Sequence, residues 1–362
     1  MTDIKQKIIQ VRPRENSGPT SSNRFDFQKN WAICKILELH QKTNDYLLTL
    51  EHFDDIIVFD SSSDPQKISF YQIKTNKSPN WTLNSLTTRK KGKNGLLNSH
   101  LGKLYDNLEK FGNAVETLNF VTNNKIKGKL KNDIKCEDTD GFCCNELENN
   151  ALNKIINELK IEHSLNSLKE FEKITYFKLG ELSIDKHTEL TKAKLADFLD
   201  NNLPTIKYQI APLYKSIFDE IRMKSDIEKT VLDFDELKNK KSISRENFDS
   251  YLNELKKTED FKEKRASIEN RLNAESVSFD KIKVFSKNSN LYEIKRMNYN
   301  DKYLLSIEKK INQLIDKVKP NLSQGLYNSM EEVYQNANSL LVGNTTINND
   351  MIKTIILHKL YE

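Results

Sequence analysis

Apolar residues recur at two different spacings in the first two hundred residues, and this mixture predicts an α/β domain. Helical spacing predicts a helix over residues 25–39, after a loop rich in Ser, Asn, Pro and Gly at 11–24. Short apolar runs then predict three strands, at 46–51, 56–59 and 68–75. Both faces of these runs are apolar, as in central strands that are covered on both sides. The second and third strands should form an antiparallel hairpin.

Helices and strands continue to alternate up to about residue 204, and from about residue 208 the pattern predicts an almost entirely helical chain. The remaining elements of the first part are predicted at 96–111, 146–159 and 187–199 for helices and at 117–123 and 173–179 for strands. Those of the second part are predicted at 211–223, 245–256, 261–272, 302–318, 326–341 and 350–360. We therefore predict an α/β domain over residues 1–225 and an all-α domain over residues 226–362.

Composition excludes several classes of protein. The 362 residues carry a net charge of +5, and 37% of them are hydrophobic. No apolar run reaches the ~18 residues of a membrane span, and no secretory signal precedes the first helix. The four cysteines lack the paired spacing of a zinc site, and the six histidines show no triad or metal spacing. A cytoplasmic protein with reduced thiols and no membrane association is expected.

Positive charge is concentrated in one region. Between Lys74 and Lys135 there are thirteen basic and four acidic side chains. Such a surface can attract phosphate backbones. The alternative is a solvated, lysine-rich face without a ligand, which composition alone favours.

The hairpin carries the candidate chemistry. Antiparallel pairing places Asp54 or Asp55 against Ile73 or Lys74, and Gln72 points to the same face as Lys74. Acidic and carbonyl oxygens are the ligands that Mg²⁺ prefers, and a neighbouring ammonium can orient a water and offset phosphate charge. This combination indicates metal-assisted phosphodiester hydrolysis. The alternative is a surface ion pair, which contributes about 0–1 kcal/mol to stability.

These residues resemble a known family. The segments RENSGP (14–19), FDFQKNWA (25–32), LEHFDDIIV (50–58) and FYQIKT (70–75), with TLNFVTNNKI (117–126) and KITYFKL (173–179), resemble PD-(D/E)XK nucleases. More narrowly, they resemble the double-stranded DNA endonuclease domain of CD-NTase-associated (CBASS) anti-phage effectors. The resemblance covers roughly residues 10–225. It implies a restriction-endonuclease-like α/β core, a mixed central sheet flanked by helices, ahead of the all-α C-terminal domain.

The resemblance also implies roles for individual residues. Asp55 is the expected acidic metal ligand, Gln72 stands where many members have Glu or Asp, and Lys74 is the motif lysine. Asp54 is the fallback ligand, and Glu51 a second acidic contributor. The first helix could add Gln28 or Glu38, whose alternatives are a helix-to-sheet hydrogen bond and a solvated face. The residues expected to follow DNA phosphates are Arg89, Lys90, Lys91, Lys93, Lys125 and Lys127. Trp81 could stack on DNA or pack in the core, and packing is favoured.

The implied function is Mg²⁺-dependent cleavage of double-stranded DNA with little sequence specificity, in bacterial defence against phage, with Mn²⁺ as a substitute metal. Gln72 departs from the common pattern, because a neutral amide compensates a cation's charge less than a carboxylate does. The helical region, of about 140 residues, is not of the α/β kind that the nucleotide-sensing domain of full-length CBASS effectors has. It is therefore predicted to form a homo-oligomer or to dock a separate ATPase of the HerA kind or another activator. The alternatives are a non-catalytic DNA-binding or assembly subunit and a structural helical adaptor.

Overall fold

A computed structural model describes residues 17–76, 80–92, 95–168, 170–204, 206, 208–227, 233–296, 301–337 and 347–361. The chain forms two compact units. The first comprises Met1–Phe198 and Ile221–Arg245, and the second comprises Leu199–Glu220 and Glu246–Glu362. The first unit thus contains a segment that follows a stretch of the second unit in the sequence. The functional division at residue 225 stays a prediction.

The first unit contains eleven described strands. They are β1 (Leu47–Leu50), β2 (Ile56–Phe59), β3 (Ile68–Lys74), β4 (Asn80–Thr82), β5 (Lys91–Gly92), β6 (Gly95–Leu96), β7 (Val115–Thr122), β8 (Lys125–Lys127), β9 (Gly141–Cys143), β10 (Thr175–Leu179) and β11 (Ser242–Ser244). Seven of them form one mixed sheet in the order β11-β1-β2-β3-β7-β10-β9. The strands β3, β7 and β10 run parallel, whereas the other neighbours in this sheet are antiparallel.

The helices of the described residues are α1 (Ser17–Lys42), α2 (Leu83–Thr87), α3 (His100–Phe111), α4 (Asn149–His163), α5 (Phe171–Ile174), α6 (His187–Asn202), α7 (Ile210–Ser225), α8 (Phe234–Lys241), α9 (Arg245–Ala274), α10 (Phe279–Arg296), α11 (Lys302–Val318), α12 (Leu326–Ala337) and α13 (Asn349–Leu360). Short 3₁₀ turns lie at Gly112–Ala114, Cys136–Asp138, Cys144–Glu146 and Leu322–Gln324. None of the described helices has both the length and the apolar character that crossing a membrane requires.

Helices cover both faces of the large sheet, as its apolar strands require. On one face, Trp31 of α1 packs on Tyr71 of β3 with ring centroids 5.3 Å apart. On the other, Phe111 of α3 packs on Phe70 at 5.4 Å. Successive residues of β3 therefore point to opposite layers. The second unit has its own core, which residues of α9 to α13 form. The predicted mixed sheet with flanking helices and a helical C-terminal region is confirmed.

Three predictions about individual elements were wrong. Residues 17–24 belong to α1 rather than to a loop, whereas residues 11–16 lie outside the described part of the chain. The helices predicted at 245–256 and 261–272 are one helix, α9. The region after residue 208, predicted to be almost entirely helical, also contains a strand that was not predicted, β11, which pairs with β1 at the edge of the large sheet. Three residues are too few for a period-2 pattern, so local sequence gives no sign of β11.

Smaller differences concern the ends of elements. Several elements lie where none of their kind was predicted, namely the helices α2, α5, α8 and α10 and the short strands β4, β5, β6, β8 and β9. The helix predicted at 326–341 is described as far as Ala337, and its last four residues lie outside the described part. Elsewhere the observed ends differ from the predicted ones by a few residues, as is usual for frayed termini.

Candidate active site

The open end of the β2–β3 hairpin brings together three of the predicted site residues. Ile56 pairs with Tyr71, so Asp55 and Gln72 are the next residues in register. This differs by one residue from the predicted register. Asp55 still reaches the following residues of β3, because its Oδ2 accepts a hydrogen bond from the Ile73 backbone N–H at 2.6 Å. The Lys74 Nζ lies 2.9 Å from Oδ2 and 3.1 Å from Oδ1 of Asp55.

Gln28 of α1 also reaches this end of the sheet. Its Nε2 donates to the Ile73 carbonyl oxygen at 2.9 Å. The Oε1 atoms of Gln28 and Gln72 are both buried and have no hydrogen-bond donor among the described residues. Buried oxygens are normally satisfied, so each of these two acceptors is available to a further partner. Amide, carbonyl and carboxylate oxygens fit a hard divalent cation.

Two further carboxyl groups have raised pKa values. Burial raises the pKa of Asp54 to about 7, and repulsion from the Asp55 carboxylate is the second-largest cause of this rise. Partial burial raises the pKa of Glu51 to about 7, and repulsion from Asp55 is again the second-largest cause. Asp54 is held by Asn107 of α3, whose Nδ2 donates to its Oδ2 at 3.0 Å. Three acidic groups thus face each other at one strand end, and a bound cation would favour their ionised forms.

An open cavity of about 820 Å³ gives access to this end of the sheet. Its wall includes Gln28, Lys29, Glu51 and Asp55, and also Lys241 from the end of α8. Lys241 donates from Nζ to the Glu51 carbonyl oxygen at 2.6 Å. A cavity as open as this is wide enough for an extended ligand, such as a phosphodiester backbone, to approach the acidic side chains in its wall.

Glu38 is not part of this arrangement. It lies ten residues after Gln28 in α1, which corresponds to about 15 Å along the helix axis. Its carboxylate contacts Lys35 at 3.0 Å and Lys42 at 3.1 Å. Burial opposes ionisation of Glu38, but these two lysines hold its pKa below the ordinary value. No described contact joins it to Asp55.

Two of the predicted DNA-binding residues, Lys125 and Lys127, lie beside the same edge of the sheet. The parallel strands β3 and β7 both end there, and beyond them β4 pairs with β8, which carries Lys125 and Lys127. Asn76 and Asn123 join the two connections by hydrogen bonds of 3.0 Å in each direction. The small β4–β8 sheet is therefore fixed beside the site, although Lys125 also lies 3.7 Å from Asp140.

The basic loop forms the β5–β6 hairpin. Lys90 and Lys91 are exposed there. Arg89 donates to the Leu96 and Leu97 carbonyl oxygens, so it also stabilises the hairpin. Lys93 lies outside the described residues. Trp81 is only 8% exposed and packs edge-on against Phe120, which is the core position that was favoured.

Asn107 and Lys241 were not predicted from the sequence. They lie 53 and 190 positions from the acidic residues they contact, and no local pattern marks them. A polar cluster outside the site was not predicted either; in it, His163 Nδ1 lies 3.6 Å from Asp106 and 3.3 Å from Glu109. This cluster joins the end of α4 to α3.

Comparison with known proteins identifies the family of the chain. Residues 16–225 match the model of the family described as "Cap4, dsDNA endonuclease domain". The chain belongs to this endonuclease family. The matched residues contain Asp55, Gln72 and Lys74, together with Gln28 and the acids Glu51 and Asp54. The predicted resemblance is thereby confirmed.

A relative is similar over a longer stretch. The Lamassu protein LmuA of Bacillus cereus (strain VD014) is 29% identical over 334 residues, which cover 90% of this chain and 82% of that protein. The similarity therefore extends beyond the nuclease domain into the helical C-terminal region.

Proposed function

We propose that this protein is a Mg²⁺-dependent endonuclease that cleaves double-stranded DNA with little sequence specificity in defence against phage. The observation that carries the proposal is the contact between Asp55 and Lys74 within the residues matched to an endonuclease family. Mn²⁺ is expected to substitute for Mg²⁺, since it takes similar oxygen ligands.

The proposed metal ligands are the oxygens that the site leaves without donors, together with its acids. Asp55 and Gln72 are the principal ones, with Asp54 or Glu51 as further acidic contributors. A divalent cation supplies positive charge that stabilises the phosphate in the transition state. Lys74 is held against Asp55, where its ammonium can orient a water and offset charge on the phosphate. Gln28 holds the Ile73 carbonyl in place.

Low sequence specificity follows from the kind of groups around the site. Lys90, Lys91 and Lys127 are exposed, flexible cations that suit phosphates rather than base edges. Contacts of this kind position a duplex without reading its sequence.

The role in phage defence rests on the family resemblance and on the LmuA relative, whose name assigns it to a Lamassu system. We further propose that the protein acts in the cytoplasm as a homo-oligomer. An activating partner, such as an ATPase of the HerA kind, would bind through the helical region. A chain that stays monomeric at micromolar concentration in sedimentation, with and without such an ATPase, would contradict this part of the proposal.

Cleavage of supercoiled plasmid tests the nuclease assignment. Wild type, Lys74→Ala and a control, Lys42→Ala, are compared in Mg²⁺ and in EDTA. Lys42 is an exposed lysine that contacts Glu38, away from the site. We expect metal-dependent nicking by wild type and Lys42→Ala, and a loss of at least about 100-fold in Lys74→Ala.

The other outcomes are equally informative. Equal cleavage by all three proteins would place the active site elsewhere. DNA binding without cleavage in Mg²⁺, and also without cleavage when Mn²⁺ replaces it, would favour the non-catalytic DNA-binding or assembly subunit. Absence of DNA binding at low salt would favour a structural adaptor.

A further inference from the structure

A segment outside the residues matched to the endonuclease family completes the sheet of the first unit. It consists of α8 and β11, and β11 pairs antiparallel with β1 so that Thr49 lies opposite Ser242. The hydroxyls of these two buried residues are 2.7 Å apart. Lys224 also donates to the Ser242 carbonyl oxygen at 2.7 Å. The pairing of β11 with β1 therefore fixes Lys241 beside the end of β1, where the loop that carries Glu51, Asp54 and Asp55 begins.

Lys241 uses this position to contact the acidic loop. Its Nζ donates to the Glu51 carbonyl oxygen at 2.6 Å, and its side chain lines the same cavity as Asp55. Lys241 is only 6% exposed. Lysines are rarely buried to this extent unless they are paired, so the contact is a specific one. Lys240, its neighbour in the sequence, is exposed and pairs with Glu236 of the same helix.

The loop that Lys241 contacts has an uncommon backbone conformation. Glu51 has φ +46°, in the left-handed region, which is unfavourable for a residue with a side chain. Its N–H donates to the Asp55 carbonyl oxygen at 3.1 Å, which closes the loop. Its own carbonyl is the group that Lys241 binds. Both backbone polar groups of Glu51 therefore have hydrogen-bond partners, and these two bonds stabilise its left-handed conformation.

A continuous chain of hydrogen bonds runs from Lys241 to the hairpin. Lys241 binds the Glu51 carbonyl, the Glu51 N–H binds the Asp55 carbonyl, and the Asp55 carboxylate accepts from the Ile73 N–H. A displacement of the Glu51 turn would therefore move Asp55 relative to Lys74. Lys241 is also a second cation, besides Lys74, that acts on the Glu51 carboxyl group.

We propose that Lys241 is a positioning residue of the nuclease site, because its bond to the Glu51 carbonyl holds the turn that places Asp55 against Ile73 and Lys74. The catalytic part of this inference rests on the proposed function, whereas the structural part does not. Residues beyond the matched nuclease domain would then determine the geometry of the site within it.

The structural part is tested by hydrogen exchange. Lys241→Met keeps the length of the side chain but removes its donor, and Lys241→Gln is a milder change should the Met variant not fold. Lys241→Arg is the conservative variant, and Lys240→Met is the matched control. We expect at least tenfold faster exchange in the peptide covering residues 48–56 for the Met and Gln variants. Exchange at the wild-type rate in both would overturn the proposal.

The catalytic part is tested by steady-state cleavage of a labelled duplex. We expect kcat of Lys241→Met to fall at least tenfold while KM for DNA changes less than twofold, because Lys241 positions an acid rather than the duplex. Lys241→Arg should restore at least a third of the wild-type kcat. If Lys241 only stabilised the fold, Lys241→Met would lower the folded fraction of the protein. It would not lower kcat at an unchanged KM, and Lys241→Arg would not restore kcat.

The two tests separate the failure of each hypothesis. Wild-type kcat in a folded Lys241→Met variant would overturn the positioning role. No cleavage by the wild type would instead refute the proposed nuclease function, and hydrogen exchange would still decide whether Lys241 holds the loop.

Discussion

Replacing Asp54 by Asn should stabilise the metal-free protein at alkaline pH. Burial, and after it repulsion from the Asp55 carboxylate, raises the pKa of Asp54 from the ordinary 3.8 to about 7. A carboxyl group with a raised pKa binds protons more tightly in the folded than in the unfolded state. Stability is therefore lost as pH rises from about 4 through about 7, and it stays lower above that range.

The structure sets the size of the effect. At about 1.36 kcal/mol per pH unit, ionising Asp54 in the folded protein costs at most about 4 kcal/mol. Relaxation and solvent near the open cavity reduce this, and a realistic cost is about 2 kcal/mol. Asn keeps an oxygen for the Asn107 donor but loses the long 3.3 Å bond from the Asp55 N–H. We expect a net gain of about 1–2 kcal/mol at pH 8, which falls to about a third of that at pH 5 and toward zero below about pH 4.

Urea unfolding followed by tryptophan fluorescence measures this difference. The two tryptophans of the chain, Trp31 and Trp81, both lie in the first unit, so the signal reports on that unit. The exposed Asp185 provides the control, Asp185→Asn, which should match wild type at both pH values. Adding Mg²⁺ at pH 8 should stabilise wild type more than Asp54→Asn. An Asp54→Asn variant that is less stable than wild type at pH 8, or a difference that does not vary with pH, would refute the electrostatic reasoning.

Three other predictions concern substrate binding, the first helix and the core. Removing the exposed charges one at a time (Lys90→Ala, Lys91→Ala, Lys127→Ala) should lower the slope of log K against log salt by about 0.9 each, equally for two unrelated duplexes in anisotropy titrations; a sequence-dependent loss would contradict phosphate tracking. Gln28→Leu and Gln28→Glu should both reduce plasmid cleavage at least about tenfold, because neither side chain can donate to the Ile73 carbonyl oxygen, whereas wild-type activity of both would make this bond dispensable. Trp81→Ala should destabilise the first unit by about 3–5 kcal/mol in urea unfolding followed by circular dichroism; a stable variant with weakened DNA binding would instead indicate stacking on DNA.

Local pattern predicted the central hairpin well because its strands are buried on both faces. The strand Ile56–Phe59 has the predicted ends, and Ile68–Lys74 differs from its prediction by one residue. The edge strand Ser242–Ser244 could not be found in this way. Its pairing with β1 and the hydroxyl contact with Thr49 depend on residues 193 positions away. Length and periodicity identify central strands, whereas short edge strands are determined by tertiary contacts.

The same distinction applies to the site. Asp55 and Lys74 could be proposed because a hairpin brings them together within 19 positions. Asn107 and Lys241 contact Asp54 and Glu51 only once the helices α3 and α8 are in place. In the sequence they look like an ordinary helix polar residue and one of many lysines.

The contacts of the acids also give a physical reason for the neutral residue at position 72. Asp55 and Gln72 follow Ile56 and Tyr71 in register, and Gln72 is only 2% exposed. Asp54 and Glu51 already have raised pKa values beside Asp55. A glutamate at position 72 would add a fourth acidic group in a buried position, where an uncompensated charge is costly. With three acids present, an amide can supply the remaining oxygen without this cost, so the departure at Gln72 is compatible with a site that binds a divalent cation.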